Sequence, residues 1–137
     1  MGRGSLKRSA SSRDQPETGG VSEVDTKALR SLLERWQAGE VDERFVHEEA
    51  ERLWGHRDEW PLYRETDPRS IPLEVLEQLE ILNHQLITRE DVPTMLAFLD
   101  TPPGEQTRGW AAWRRHWQEV DIDARRTALA HNPYYLT

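Results

Sequence analysis

The sequence predicts an all-α protein, a small helical bundle of about five to six helices, and three observations lead to this prediction. Apolar residues recur at steps of three and four along most of the chain, whereas strand-like alternation is found over no useful length. Capping residues and glycines stand where the periodic stretches begin and end. The chain has 137 residues, which is the size of one domain, and its aromatic side chains are sufficient for one apolar core. It contains no cysteine, so disulfides are excluded.

The first two periodic stretches predict a helical hairpin. Residues 28–36 place Leu29, Leu33 and other apolar side chains on one helical face, and Gly39 provides the left-handed residue that commonly ends a helix. Asp42 is a suitable N-cap for a second helix, which Gly55 ends. Because the link between the two helices is short, they are expected to be antiparallel.

The middle of the chain predicts two more helices separated by turns. The third begins at Ser70 and is expected to run to about Asn83 or His84. Thr88 and Asp91 have the spacing of a capping box at the start of the fourth, which ends before residues 101–104. Residues 55–70 show no sustained period and predict a packed loop.

A tryptophan stripe marks the fifth helix. Trp110, Trp113 and Trp117 stand at i, i+3 and i+7, which predicts one face directed at the core. Asp121 then caps a short sixth helix, and the apolar residues 134–136 are expected to fold back onto the bundle.

Residues 1–20 are predicted to be a disordered tail, and residues 21–137 a single helical domain. The tail contains four Gly, four Ser and a single Leu, so it offers little apolar surface to a core. Removing it is therefore expected to leave the thermal midpoint within about 2 °C of the full chain. A thermal melt of the two forms measures this, and a larger drop would show that the tail docks.

The charge is unevenly distributed. The net charge is −7, yet residues 40–80 hold 13 acidic and five basic side chains, and residues 108–126 hold five Arg against three acids. Such an acidic region favours a basic protein partner and disfavours the nucleic acid backbone. A non-enzymatic protein that acts by protein–protein binding is therefore the leading prediction. Its candidate contacts are Glu48, Glu49, Glu51, Asp58 and Glu59, with Trp60 and Tyr63 as aromatic anchors.

Two alternatives belong to other functional classes. His47 and Glu51 lie one helical turn apart and could serve an accessory enzyme or a weak metal-dependent hydrolase, but one such pair lacks the remaining ligands of a metal site. Neither a metal nor another cofactor is therefore expected. The Arg-rich and Trp-rich C-terminal helices could bind single-stranded nucleic acid, although a core-facing stripe and the net acidity oppose this.

The expected location is the cytoplasm. No apolar run approaches the roughly 18 residues of a membrane span, and no secretory signal is recognisable. A membrane partner is therefore not expected.

Part of the chain resembles a known family. The segment LLERWQAGEVDERFVHEEAERLW (32–54) combines a helix, a Gly-acid-aliphatic turn and a helix that ends in Trp, and it is followed by the Leu-rich residues 73–86 and ITREDVPTMLAFL (87–99). This order, over residues 25–100, is similar to bacterial immunity proteins of the colicin D type. The resemblance implies an acidic helical bundle that neutralises a basic nuclease.

Overall fold

The computed structural model describes residues 24–55 and 62–136, and within these residues the protein is all-α, as predicted. The described residues form seven α-helices and no strand, so the count exceeds the five to six expected. The helices are α1 (Thr26–Gln37), α2 (Glu43–Trp54), α3 (Ser70–Glu80), α4 (Leu82–Gln85), α5 (Val92–Leu99), α6 (Gln106–Glu119) and α7 (Ile122–Leu129), with a 3₁₀ turn at Arg89–Asp91 before α5.

The N-terminal hairpin forms as its caps predict. An Asp42 carboxylate oxygen accepts a hydrogen bond from the Phe45 backbone N–H at 2.8 Å, which satisfies a donor that the first turn of α2 would otherwise leave free. Gly39, with a φ of 78°, reverses the chain after α1. α1 then packs on α2 and α5, and α2 packs on α3.

The third predicted helix is shorter than expected. It ends at Glu80, because Ile81 has a φ of −122° and a ψ of 24°, and residues 82–85 form a separate single turn. Leu86 then adopts a left-handed φ of 56°, and the Ile87 N–H donates to the Leu82 carbonyl at 3.0 Å. Leu82, Leu86 and Ile87 are all buried in this turn.

One core joins all of these elements. The fully buried side chains come mainly from α1, α3 and α5 and from the turn after α4, and the buried apolar set also includes two residues of α2 and one of α6. The largest of its side chains that are less than 2% exposed are Leu29, Leu33, Leu76, Leu79, Leu82, Ile87 and Met95, and the aromatic Trp36, Phe98, Trp113 and Tyr135 are also buried. Trp113 is buried, and Trp110 and Trp117 pack against the core, so the prediction that the Trp stripe faces inward is confirmed.

The end of the described chain returns to the bundle, as predicted. Tyr135 is buried, and its hydroxyl donates to the Ile87 carbonyl at 2.7 Å. The Leu136 N–H donates to the Asn83 carbonyl at 3.0 Å, although the Leu136 side chain stays exposed. These two bonds attach the C-terminal segment beside α4.

The prediction of a packed loop is wrong for Leu62, whose side chain is 93% exposed. Isolated apolar side chains are common on protein surfaces, so one such residue does not oblige the loop to pack. Tyr63 is half-buried, with the Arg69 guanidinium 4.6 Å from the centre of its ring. No helix within the described residues combines the length and the apolar character needed to cross a membrane.

Candidate partner-binding surface

The outer face of α2 presents two exposed carboxylates. Val46 and Ala50 are fully buried and hold α2 against the core, which leaves Glu48 and Glu51 exposed. Neither forms an ion pair with another of the described residues. Two neighbouring carboxylates that lack a cation produce a locally negative surface.

Glu49 differs from these two acids because it has an internal partner. Arg52 donates to the Glu49 carboxylate from Nε at 3.0 Å and from Nη2 at 2.7 Å. This hydrogen bonding by Arg52 lowers the pKa of Glu49. Of the three α2 acids predicted as contacts, Glu48 and Glu51 therefore contribute most of the uncompensated charge.

The remaining predicted contacts lie in or beside the loop after α2. Asp58, Glu59 and Trp60 fall outside the described residues. Tyr63 is described, and Arg69 covers one face of its ring while pairing with Asp67 at 2.8 Å. One face of Tyr63 is thus already occupied within the chain.

His47 connects three parts of the fold. Its Nε2 lies 2.8 Å from the Glu80 carbonyl oxygen, and its Nδ1 is hydrogen-bonded to the Tyr134 hydroxyl. The carbonyl can only accept, so Nε2 carries a proton, and in the neutral imidazole Nδ1 then accepts from the Tyr134 hydroxyl. Both ring nitrogens are engaged, which leaves neither to share a metal with Glu51. Among the described residues, no group of three or more metal-ligand side chains is present.

A buried carboxylate that the sequence predicted only as a helix cap lies at the centre of a second network. Asp91 is fully buried, and its carboxylate accepts two hydrogen bonds from Arg125, one from Nη1 at 2.6 Å and one from Nη2 at 2.7 Å. It also accepts from the Thr88 backbone N–H at 2.9 Å, which completes the predicted capping box. His116 Nε2 lies 2.8 Å from the same carboxylate.

This network contains a hydroxyl, an imidazole and a carboxylate in series, because Thr94 Oγ1 lies 3.2 Å from His116 Nδ1. In a hydrolytic triad the carboxylate stabilises the imidazolium that forms during reaction. Here Arg125 already neutralises Asp91, which opposes that role. The arrangement is instead suited to fastening the 3₁₀ turn to α6 and α7. Sequence reasoning missed it because Arg125 lies 34 residues from Asp91.

The Trp rings of α6 are engaged mainly with one another and with Phe98. The Trp113 ring stacks on Phe98 with centroids 4.4 Å apart, and the Trp117 ring meets the Trp113 ring edge-on with centroids 5.3 Å apart. Trp110 also contacts the Phe98 ring edge-on, at 5.1 Å. The Trp113 ring is buried with one face on Phe98 and therefore cannot receive a nucleobase, whereas Trp110 and Trp117 are only partly buried.

No family model, curated protein or solved structure matches this chain.

Proposed function

We propose that this protein acts by binding a basic protein partner, as a non-enzymatic inhibitor or immunity-type factor in the bacterial cytoplasm. The observation that carries the proposal is the pair of exposed carboxylates on α2, Glu48 and Glu51, which lack an ion-pair partner among the described residues. The similarity of residues 25–100 to colicin D-type immunity proteins supports the same function.

Glu90 and Glu119 are exposed and, like Glu48 and Glu51, form no ion pair with another of the described residues, but only Glu48 and Glu51 stand together on one helix. Other surface acids are paired: Asp100 with Arg30, Glu65 with Arg114, and Glu105 and Asp123 each with an Arg three residues away. The charge of those acids is compensated within the chain. The charges of Glu48 and Glu51 on the exposed face of α2 are not compensated in this way. A cationic surface that approaches this face is therefore attracted.

The mechanism is electrostatic steering followed by coverage of the partner's functional surface. Complementary charge raises association rates from about 10⁵–10⁶ M⁻¹s⁻¹ toward 10⁸–10⁹ M⁻¹s⁻¹ at low salt. Rigid support of the charged face comes from the buried Val46 and Ala50 and from the His47 bridge to α3. A preorganised face of this kind loses little entropy on binding.

The test is the association rate of a partner recovered by affinity capture from the source cell. Reversing Glu48 and Glu51 to Lys is expected to slow association about tenfold or more at low salt, because the steering field is inverted. Raising the salt to about 0.5 M shortens the Debye length to roughly 4 Å and is expected to reduce the difference. Adding Glu49→Lys is expected to slow association further, since it also leaves Arg52 without its carboxylate.

A matched control changes the net charge by the same amount as the α2 variant, but at residues far from α2 in the sequence. Glu119→Lys with Asp123→Lys places the same reversal on α6 and α7, and both native side chains are exposed. This control is expected to associate nearly as fast as the parent. Equal rates for parent, α2 variant and control at both salt concentrations would contradict the proposed function.

A further inference from the structure

A groove between α3 and α6 combines aromatic surface with carboxylates. Its volume is about 550 Å³, and the three Trp residues of the α6 stripe contribute to its lining. Glu65 and Glu74 bring two carboxylates to the same groove, and the partly exposed Ile122 stands beside it. Aromatic rings next to carboxylates form a typical environment for an organic cation.

Glu74 is the inner carboxylate of this groove. It accepts from Trp113 Nε1 at 2.9 Å and from Gln78 Nε2 at 3.3 Å, and it forms no ion pair with another of the described residues. Burial raises the pKa of Glu74, and the nearby charges of Glu77 and Glu65 raise it further. A cation placed beside Glu74 would offset the repulsion from Glu77 and Glu65.

The mouth of the groove already holds a guanidinium from the chain itself. Arg114 Nη1 lies 2.6 Å from a Glu65 carboxylate oxygen, and Arg114 Cζ lies 5.7 Å from the centre of the Trp110 ring. Both side chains of this ion pair are about half exposed, so the pair can open at low cost. Arg114 therefore shows that a guanidinium can lie beside a carboxylate and a Trp ring at this groove, although its ion pair is with Glu65 and not with Glu74.

We propose that this groove receives the guanidinium of an arginine from the basic partner, held beside the partly buried Trp110 and Trp117 rings and the Glu74 carboxylate. The proposal rests on the proposed function, since it takes the partner to be basic. Arginine fits better than lysine because its planar group both stacks on an aromatic ring and pairs with a carboxylate in a fork.

The groove and the α2 face are connected through α3. His47 Nε2 of α2 lies 2.8 Å from the Glu80 backbone carbonyl oxygen, and Glu74 belongs to the same helix α3 as Glu80. Helix α3 thus contacts α2 near its C-terminal end and contributes Glu74 to the groove. A partner surface of ordinary size, roughly 800 Å², is large enough to cover neighbouring helices.

The test uses a capped tripeptide, acetyl-Gly-Arg-Gly-amide, titrated into the full chain while the indole N–H signals are followed by NMR. Trp113 is a direct reporter because its indole N–H donates to Glu74. The signals of Trp113 and Trp117 are expected to move with peptide concentration, and those of Trp36 and Trp54, on α1 and α2, to stay in place. The same peptide with neutral citrulline in place of Arg is expected to leave all four signals unchanged.

Two variants test the assignment of residues. Glu74→Gln keeps an acceptor for the Trp113 indole but removes the charge, and it is expected to weaken peptide binding at least threefold. Arg114→Gln removes the internal competitor and is expected to tighten binding about threefold, which is the size of an exposed ion pair's contribution.

Three results would overturn the groove assignment: equal shifts with the citrulline peptide, shifts at Trp54 in place of Trp113, or unchanged affinity in both variants. The Glu48→Lys, Glu51→Lys variant separates this inference from the proposed function. It is expected to bind the tripeptide like the parent while associating slowly with the protein partner. Slow partner association together with no tripeptide binding would overturn the groove and leave the proposed function supported.

Discussion

Replacing Asp91 by Ala is expected to destabilise the protein by about 3–5 kcal/mol, the usual cost of removing one member of a buried ion pair. Asp91 is fully buried and bonds to the Arg125 guanidinium, the His116 imidazole and the Thr88 backbone N–H. Its removal leaves these three donors without their acceptor. The Arg125 guanidinium, whose side chain is only 16% exposed, then loses its principal counter-charge.

Urea unfolding of the parent and variant measures this loss. Asp123→Ala is the matched control, because Asp123 also bonds to a neighbouring Arg but is 94% exposed. The control is expected to unfold at the same urea concentration as the parent. A second comparison replaces both partners, Asp91→Leu with Arg125→Met, and is expected to recover much of the lost stability because no charge is left buried. An Asp91→Ala variant as stable as the parent would contradict this account of the network.

Trp113→Ala is expected to cost about 3–5 kcal/mol, as for other large buried aromatic side chains. Trp113 is 2% exposed, stacks on Phe98 and donates its indole N–H to Glu74. Truncation leaves a cavity between α5 and α6 and removes a hydrogen bond from a half-buried carboxylate. Both the cavity and the lost hydrogen bond lower the free energy of unfolding.

Thermal and urea unfolding distinguish these contributions. Trp113→Phe keeps a ring against Phe98 but lacks the indole N–H, so it is expected to lose less stability than Trp113→Ala. Leu62→Ala is the control for a large apolar side chain that makes little contact, and it is expected to leave stability unchanged. If Trp113→Ala melted like the parent, the stripe would have to be exposed, and a base-stacking role would be favoured again.

Local signals account for the parts of the fold that could be predicted from the sequence. Asp42 and Asp121 cap their helices as expected, with backbone N–H donors at 2.8 and 3.0 Å, because a capping bond spans only three residues. The apolar spacing of residues 28–36 and of the Trp stripe likewise depends only on the period of one helix. The helix beginning at Ser70 was predicted too long, because the apolar spacing continues past Ile81, where the backbone leaves the helical conformation.

The candidate site was predicted less completely. Glu48, Glu49 and Glu51 are equivalent as a run of acids, but only the arrangement of side chains shows that Arg52 compensates Glu49. The α3–α6 groove depends on Glu74 lying opposite Trp113, and these residues are 39 positions apart. His47 and Tyr134 are 87 positions apart.

The sequence alone thus established an all-α protein, its main helix starts, an inward-facing Trp stripe and an acidic middle region, because each depends on neighbours within about one or two helical turns. The tertiary structure was needed to show which charges are paired, which carboxylate is buried and which helices form a groove. The buried carboxylate and the groove depend on contacts between residues 34 and 39 positions apart, Asp91 with Arg125 and Glu74 with Trp113, and His47 and Tyr134 meet across 87 positions. Such contacts leave no periodic signal in the chain, because they form only when separate helices pack together.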